Sequence, residues 1–196
     1  KRLMALAESL PGHLVGGLAQ VNVVLSTLMG GLSGSANADA AMQSKILVPE
    51  MIKRGYGKEF SAVITACSSI IAPIIPPGIG LILYGFLADQ SVGRLFLAGI
   101  IPGVLLCGGL RFGVHMVSKS RSYRSSREQR APLPELGKSL RDALWALLIP
   151  IGIIGGIRFG IFTPTEAGAV CVLYSLIIGF FAYRKLRLAD LPAILL

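Results

Sequence analysis

The chain has 196 residues, of which 53% are hydrophobic and only 15% are charged, and its mean hydropathy is +0.69. This composition excludes an ordinary soluble domain and is typical of an integral membrane protein. The net charge of +9 does not indicate a nucleic-acid partner, because the Lys and Arg residues lie between apolar runs rather than in a basic stripe with interleaved aromatic residues.

The first segment, residues 3–10, has a short amphipathic pattern that stops at Pro11 and Gly12. This pattern predicts an interfacial helix. The sequence does not begin with Met and has no sustained apolar core of the kind found in signal peptides, so we expect it to begin partway through a longer protein.

A polar interval then interrupts the apolar sequence. Residues 15–29 and 40–51 are mainly apolar, and the Gly- and Ser-rich stretch 30–39 separates them. Each arm of ten to fifteen residues would be about 15–22 Å long, which is less than the roughly 30 Å of a bilayer crossing. The pattern predicts a re-entrant hairpin, and the basic turn at 53–58 predicts that both arms open to the cytoplasm.

The tip of this hairpin is a candidate binding site. From Ser9 to Ser44 the only formally charged residue is Asp39. Polar backbone at membrane depth persists only where protein encloses it or where it lines an aqueous cavity. The first arm would end with free carbonyl groups and the second would begin near Ser35 with free N–H groups, so one tip could hold a cation and face an anion.

A second interruption lies in the segment 59–88, which is otherwise long enough to cross a membrane. Three prolines, Pro73, Pro76 and Pro77, precede Gly78. Proline has no N–H to donate and its ring displaces the carbonyl four residues earlier, so we expect an unwound, discontinuous helix. Three carbonyl groups should lose their usual helical donors, those of Ser69, Ala72 and Pro73.

Basic residues alternate in number along the chain, as a crossing topology requires. There are three in 53–58, one in 89–94, seven in 119–141, one at 158 and three in 184–187, and the rich intervals are predicted to be cytoplasmic. We therefore expect an all-α polytopic membrane protein. Its segments would be an interfacial arm helix (1–12), a re-entrant hairpin (13–54), a Pro-broken transmembrane helix (55–90), a transmembrane helix (91–118), a cytoplasmic basic loop with an interfacial helix (119–142) and two further membrane helices (143–196).

Other signals point to structure rather than to chemistry. Thr163, Pro164 and Glu166 form the pattern of a helix start with a capping box. The three cysteines lack CxxC spacing and indicate neither zinc nor a disulfide framework. His13 and His115 have no acidic or Cys companion at ligand spacing. With no nucleophile, base and orienter together, the sequence does not predict an enzyme.

Several motifs together resemble those of one transporter family. They are Ser33-Gly34-Ser35-Ala36-Asn37-Ala38-Asp39, Val48-Pro49-Glu50-Met51, Arg54-Gly55-Tyr56, Pro73-Ile74-Ile75-Pro76-Pro77, Tyr84-Gly85 and Gly160-Ile161-Phe162-Thr163-Pro164-Thr165-Glu166-Ala167. In this order they resemble the large membrane subunit of tripartite ATP-independent periplasmic (TRAP) transporters. The resemblance covers essentially the whole chain. One departure is Gly78, where the family most often has Ser, so a ligand there would have to use backbone.

The resemblance implies a sodium-coupled importer, usually of carboxylates, that works by an elevator-like motion in a bacterial or archaeal cytoplasmic membrane. It implies two protein partners besides the membrane lipid: a periplasmic substrate-binding protein and a small membrane subunit, separate or fused. The family's large subunit is roughly twice this length and is built from inverted repeats. The chain is therefore expected to cover about the first repeat, in the N-terminal half.

The resemblance places a sodium site where the two interruptions would meet, and no other cofactor is expected. Sodium is a hard cation that takes oxygen ligands, here Ser33, Gly34, Ser35 and backbone carbonyls near Pro73 and Pro76. The complete set of candidate cation- and substrate-binding residues is Ser33, Gly34, Ser35, Asn37, Asp39, Ser69, Ala72, Pro73, Pro76, Pro77 and Gly78.

Each of these residues also has a purely structural interpretation. The Ser-Gly-Ser tip could be a small-residue helix contact with an ordinary N-cap. Asn37 could be a ligand or a cap, and Asp39 could balance the charge of sodium or favour the helix dipole. The chain as a whole could instead be a scaffold or docking fragment, or part of an elevator-type carboxylate transporter that lacks a binding protein. The sequence leaves the carboxylate itself open.

Overall fold

The computed structural model describes residues 2–123, 125 and 131–183, and within them the chain is helical with no strand. The helices are α1 (Arg2–Ser9), α2 (Gly17–Ser33), α3 (Ala36–Lys53), α4 (Lys58–Ser69), α5 (Ile79–Leu87), α6 (Val92–Ser120), α7 (Leu133–Arg158) and α8 (Pro164–Ile177), which a π-helical turn (Ile178–Ala182) extends. The predicted all-α class is confirmed. Part of the predicted basic loop (124, 126–130) and the predicted cytoplasmic end (184–196) lie outside the described residues.

In the part of the chain that the structure describes, three segments are long and apolar enough to span a membrane: Val92–Ser120, Pro134–Arg158 and Pro164–Phe181. Their outward side chains are apolar and exposed, as Leu105 and Val172 illustrate. Apolar groups on the outside are expected where lipid rather than water surrounds a helix. The predicted membrane character is confirmed.

Helix α7 differs from the predicted segment boundary at residue 143. The sequence predicted an interfacial helix that ends at 142 and a separate membrane helix, whereas α7 runs without a break from Leu133. Pro134 lies in the first turn, where the missing N–H costs nothing, and Pro150 lies inside the helix. The basic residues Lys138 and Arg141 are therefore carried on an extension of the membrane helix.

Helix α2 is the centre of the fold. It contacts α1, α3, α4, α6 and α7, and 12 of its 17 residues are buried. Two hydrogen bonds align it with α4: Asn22 Nδ2 donates to Thr65 Oγ1 at 2.8 Å, and Ser68 Oγ donates to Asn22 Oδ1 at 2.6 Å. All three side chains are buried, so these bonds fix the relative position of the two helices.

Helices α2 and α3 form a hairpin. Gly34, with φ +58°, closes α2 and its N–H donates to the Gly30 carbonyl oxygen at 3.0 Å. Ser35 is extended and its Oγ accepts the Ala38 N–H at 3.4 Å, which makes it the N-cap of α3. The arms have 17 and 18 residues, about 26 and 27 Å. They exceed the predicted lengths because α2 continues through Gly30 to Ser33, and α3 begins at Ala36 and ends at Lys53.

The predicted discontinuous helix is present as α4 and α5, which residues 70–78 separate. The peptide bond between Pro76 and Pro77 is cis. One detail of the prediction is wrong: the Ser69 carbonyl oxygen accepts the Ala72 N–H at 3.1 Å. The chain tightens into three-residue turns before the first proline, and this replaces the lost donor.

Aromatic contacts anchor the start of α4. The rings of Tyr56 and Tyr123 stack with their centroids 4.4 Å apart, and Tyr56 is buried. The Gly57 N–H donates to Tyr123 Oη at 3.1 Å, and this bond holds the pKa of Tyr123 below its ordinary value. The connection between the hairpin and the discontinuous helix is thereby tied to the end of α6.

The predicted capping box opens α8. Thr163 Oγ1 accepts the Glu166 N–H at 3.3 Å, and the Glu166 carboxylate accepts the Thr163 N–H at 2.7 Å. Pro164 follows at the first helical position. Local sequence chemistry is sufficient to start this helix.

Candidate functional site

Glycines let the hairpin tip touch the discontinuous helix. A methyl group placed at Gly30 would lie 2.9 Å from Ala72 Cα and 3.2 Å from the Ala72 carbonyl oxygen. A methyl group at Gly34 would overlap the Pro77 carbonyl oxygen. The Ile79 N–H donates to the Gly34 carbonyl oxygen at 3.4 Å. The two interruptions recognised in the sequence are therefore in direct contact.

Two of the three proline carbonyls are directed at the hairpin. The Pro76 carbonyl oxygen is 3.7 Å from the point at which a Gly31 side chain would begin, and the Pro77 carbonyl faces the tip as described above. The Pro73 carbonyl oxygen is directed instead at Gly78, where any Cβ would overlap it. The carbonyl group near Pro76, one of the ligands expected from the sequence, thus lies beside the hairpin. The Pro73 carbonyl group lies within the proline loop instead.

This loop geometry accounts for Gly78. Since the Pro73 carbonyl oxygen occupies the space that a Cβ would take, the backbone as it stands here accepts only glycine at this position. The residue that follows begins α5, so the glycine allows the chain to turn from the proline loop directly into a helix. The departure from the family's usual Ser at this position therefore has a steric cause.

The serine hydroxyls at the tip hold weak local hydrogen bonds. Ser33 Oγ accepts the Ser35 N–H at 3.5 Å, and Ser35 Oγ accepts the N–H of the third residue beyond it at 3.4 Å. Both distances are at the long end for hydrogen bonds, and a hydroxyl oxygen has two lone pairs. Ser33 and Ser35 are half-buried. The capping role is observed, and it leaves each oxygen a lone pair for a ligand.

The remaining candidates from the sequence are dispersed. Asn37 is exposed. Ser69 Oγ donates to the Ala66 carbonyl oxygen of its own helix at 2.8 Å. Asp39 is only 1% exposed and is directed into the interface between the two hairpin arms. Of these three residues, Asp39 alone is both buried and close to the tip, because its N–H donates to the Ser35 carbonyl oxygen at 3.1 Å.

Asp39 belongs to a buried polar cluster with Ser26 and Gln43. Gln43 Nε2 donates to Asp39 Oδ2 at 2.7 Å and also donates to Ser26 Oγ. All three side chains are at most 1% exposed. The cluster joins α2 to α3 one turn away from the tip.

Two oxygens of this cluster have no hydrogen-bond partner, Asp39 Oδ1 and Gln43 Oε1. Within the described residues no basic side chain pairs with Asp39. A buried carboxylate needs a compensating positive group, and a buried acceptor without a donor is costly. The cluster therefore has both the charge and the free oxygens that a cation requires.

Ser26 and Gln43 are not among the candidate site residues predicted from the sequence. A signal was available, because Gln43 follows Asp39 by four residues and Ser26 follows Asn22 by four residues in an otherwise apolar helix. Residues at this spacing share a helix face. The pairing of the two faces across the hairpin could be seen only in the structure.

The oxygen groups at the tip are of the kind that binds a hard cation. The groups at the tip are hydroxyl, carbonyl and carboxylate oxygens, and the described residues contain no group of three or more His, Cys, Asp or Glu side chains. A cavity of about 470 Å³ lies beside the tip between Leu32 and α8. Among its lining residues only Cys171 and Ser175 carry a polar side-chain atom, so it offers little to a carboxylate.

A helical hairpin whose tip meets a discontinuous helix is the arrangement by which secondary transporters hold substrates and coupling ions. The family model for the tripartite ATP-independent periplasmic transporter, DctM component, matches residues 1–196. The chain belongs to this family of transporter permeases, which confirms the resemblance recognised in its sequence motifs.

Curated relatives match the chain along almost its whole length. It is 42% identical over 195 residues to the sialic acid TRAP transporter large permease protein SiaM of Vibrio cholerae, covering 100% of this chain and 45% of that protein. It is 40% identical to the ectoine TRAP transporter large permease protein TeaC of Halomonas elongata, covering 98% and 45%. It is 39% identical to the C4-dicarboxylate TRAP transporter large permease protein DctM of Pseudomonas aeruginosa, covering 100% and 45%. The chain spans less than half the length of these relatives.

Proposed function

We propose that this chain forms the first repeat of a TRAP large permease subunit and contributes its coupling-ion site to the sodium-driven import of an organic acid. The hairpin tip and the carbonyls of Pro76 and Pro77 would surround the ion. Asp39 would balance its charge from one turn away. The permease would lie in a bacterial or archaeal cytoplasmic membrane.

The observation that carries this proposal is the contact between the hairpin glycines and the proline loop. Close backbone approach at Gly30 and Gly34 brings the hairpin tip, with its Ser33 and Ser35 hydroxyls, against the loop that carries the Pro76 and Pro77 carbonyl groups. Oxygens brought together in this way are the environment that discontinuous helices give to Na⁺ in secondary transporters. A simple packing contact would not need the free acceptor of Asp39 nearby.

The substrate and partners of the complete protein belong to the same proposal. Relatives of about 40% identity are named for sialic acid, ectoine and C4-dicarboxylates, so identity at this level does not select one substrate. We expect an organic acid that a periplasmic binding protein delivers. We also expect a small membrane subunit, separate or fused, and the relative named isethionate TRAP transporter permease protein DctMQ supports a fused form in some members.

The proposal is tested by uptake into proteoliposomes that contain the full-length permease with its small subunit and binding protein. Replacing both Ser33 and Ser35 by Ala should raise the sodium concentration needed for half-maximal uptake by about tenfold or more, since each tenfold corresponds to about 1.4 kcal/mol of binding. Uptake should depend on Na⁺ and should be lost when K⁺ replaces it.

A matched control is Thr163→Ala, which also removes an N-cap hydroxyl but lies at the start of α8. This variant should keep the sodium dependence of the unmodified permease. Equal sodium dependence in the double serine variant and the unmodified permease would refute the site. If neither variant changes the sodium dependence of uptake and both still bind the small subunit, a scaffold role for this chain would be favoured.

A further inference from the structure

Arg111 is a charged residue within a membrane-spanning helix, and the proposed cation site does not use it. It lies about 28 Å along α6 from Val92, which is close to one hydrocarbon thickness. Charged side chains in such segments are rare and normally have a partner. Within the described residues no acidic side chain pairs with Arg111, and its partner is Gln20.

Gln20 holds Arg111 in place without neutralising it. Arg111 Nε donates to Gln20 Oε1 at 3.2 Å, and Gln20 Nε2 donates to the Arg111 carbonyl oxygen at 2.9 Å. Gln20 is 1% exposed, so this pairing is fixed inside the fold. The described residues accept no hydrogen bond from the two Nη groups. The outer edge of the guanidinium is therefore oriented and available to an anion.

Arg111 lines a cavity of about 280 Å³, and His115 and Gly108 lie on either side of it along α6 in the same lining. His115 follows Arg111 by four residues, so the two share a helix face, and an imidazole ring donates at least one N–H in either charge state. Gly108 has no neighbour within 4 Å of a possible Cβ, which leaves the space open. A guanidinium fork with a second N–H donor matches the oxygens of a phosphate group.

An apolar stripe continues from the cavity towards the middle of α6. Ile101, Val104 and Leu105 are 69%, 60% and 69% exposed. They precede Gly108 and Arg111 by steps of three and four residues and lie on the same helix face. A phosphate group in the cavity would thus have apolar helix surface beside it, in the direction of the bilayer interior. A phospholipid needs both features, whereas a free phosphate ion needs only the first.

We propose that the cavity around Arg111 binds the phosphate of an anionic phospholipid headgroup, with an acyl chain along the stripe of Ile101, Val104 and Leu105. Basic pockets between membrane helices bind such headgroups. The lipid would neutralise Arg111 at the interface, where Gln20 alone leaves it charged. It would also hold α6 against α2, the central helix of the fold.

The test uses the full-length permease in detergent, stripped of lipid and titrated with phosphatidylglycerol, with bound lipid counted by native mass spectrometry. Arg111→Gln should weaken phosphatidylglycerol binding by about tenfold or more, as expected for loss of a charge-assisted pair. Gly108→Leu should weaken it similarly by filling the cavity while it leaves Arg111 and Gln20 paired. This second variant keeps the test valid if Arg111→Gln does not fold.

Gly109→Leu is the matched control, because Gly109 also has open space around a possible Cβ but lines a different cavity. It should bind phosphatidylglycerol as the unmodified permease does. Unchanged lipid binding in Arg111→Gln and Gly108→Leu would overturn the proposal. If millimolar inorganic phosphate displaced the lipid, and the permease bound phosphate as tightly as phosphatidylglycerol, the assignment to a lipid would be overturned.

Discussion

Replacement of Gly34 by Ala should destabilise the contact between the hairpin and the proline loop. Gly34 has φ +58°, a conformation that costs a residue with a Cβ about 1–2 kcal/mol. The added methyl group would also overlap the Pro77 carbonyl oxygen, and overpacking of this kind typically costs about 1–3 kcal/mol. We therefore expect Gly34→Ala to lower the free energy of unfolding by about 2–5 kcal/mol.

Two further variants separate these contributions. Gly34→Asn keeps a residue that tolerates positive φ, so it should retain mainly the steric cost. Gly30→Ala adds a methyl group 2.9 Å from Ala72 Cα in an ordinary helical conformation, so it should also show the steric cost alone. Gly80→Ala is the control, because nothing lies within 4 Å of a Cβ there. It should be neutral or stabilising by up to about 1 kcal/mol.

The assay is thermal unfolding of the full-length permease in detergent, with sodium binding measured by calorimetry on the same samples. Gly34→Ala and Gly30→Ala should have lower Tm values and weaker sodium binding than Gly80→Ala. If Gly34→Ala matched the unmodified permease in both Tm and sodium affinity, the tip could not pack against the proline loop as described. If its Tm fell while its sodium affinity stayed the same, the contact would be structural only.

Three other predictions concern polar contacts. Asp39→Asn should lower sodium affinity by about tenfold through loss of a charge near the tip, and titration calorimetry that finds no change would exclude a charge-balancing role. Asn22→Leu should cost about 1–3 kcal/mol of stability, because it removes the two hydrogen bonds that Asn22 makes with buried Thr65 and Ser68, and an unchanged Tm would contradict the role of these bonds in aligning α2 with α4. Thr163→Ala should cost about 1 kcal/mol through loss of the cap, again read from Tm, and an unchanged Tm would mean that the capping box contributes nothing.

By itself, the sequence determined the features that depend on local chemistry. Apolar runs predicted membrane helices, because lipid cannot satisfy polar side chains. Three prolines predicted the break before α5, since they lack the donors that a helix needs. The pattern from Thr163 to Glu166 predicted the start of α8. Each of these signals lies within a few residues of the structure that it specifies.

Only the tertiary structure decided how far the hairpin arms extend and which oxygens meet. Gly30 is a local signal for a helix end, but α2 continues through it, because packing outweighs a propensity cost of about 1 kcal/mol. The direction of the Pro73 carbonyl towards Gly78 depends on the fold of a whole loop. The link from Ser26 through Gln43 to Asp39 depends on contacts between residues distant in sequence. No periodicity along one helix encodes them, since each requires the position of a second backbone.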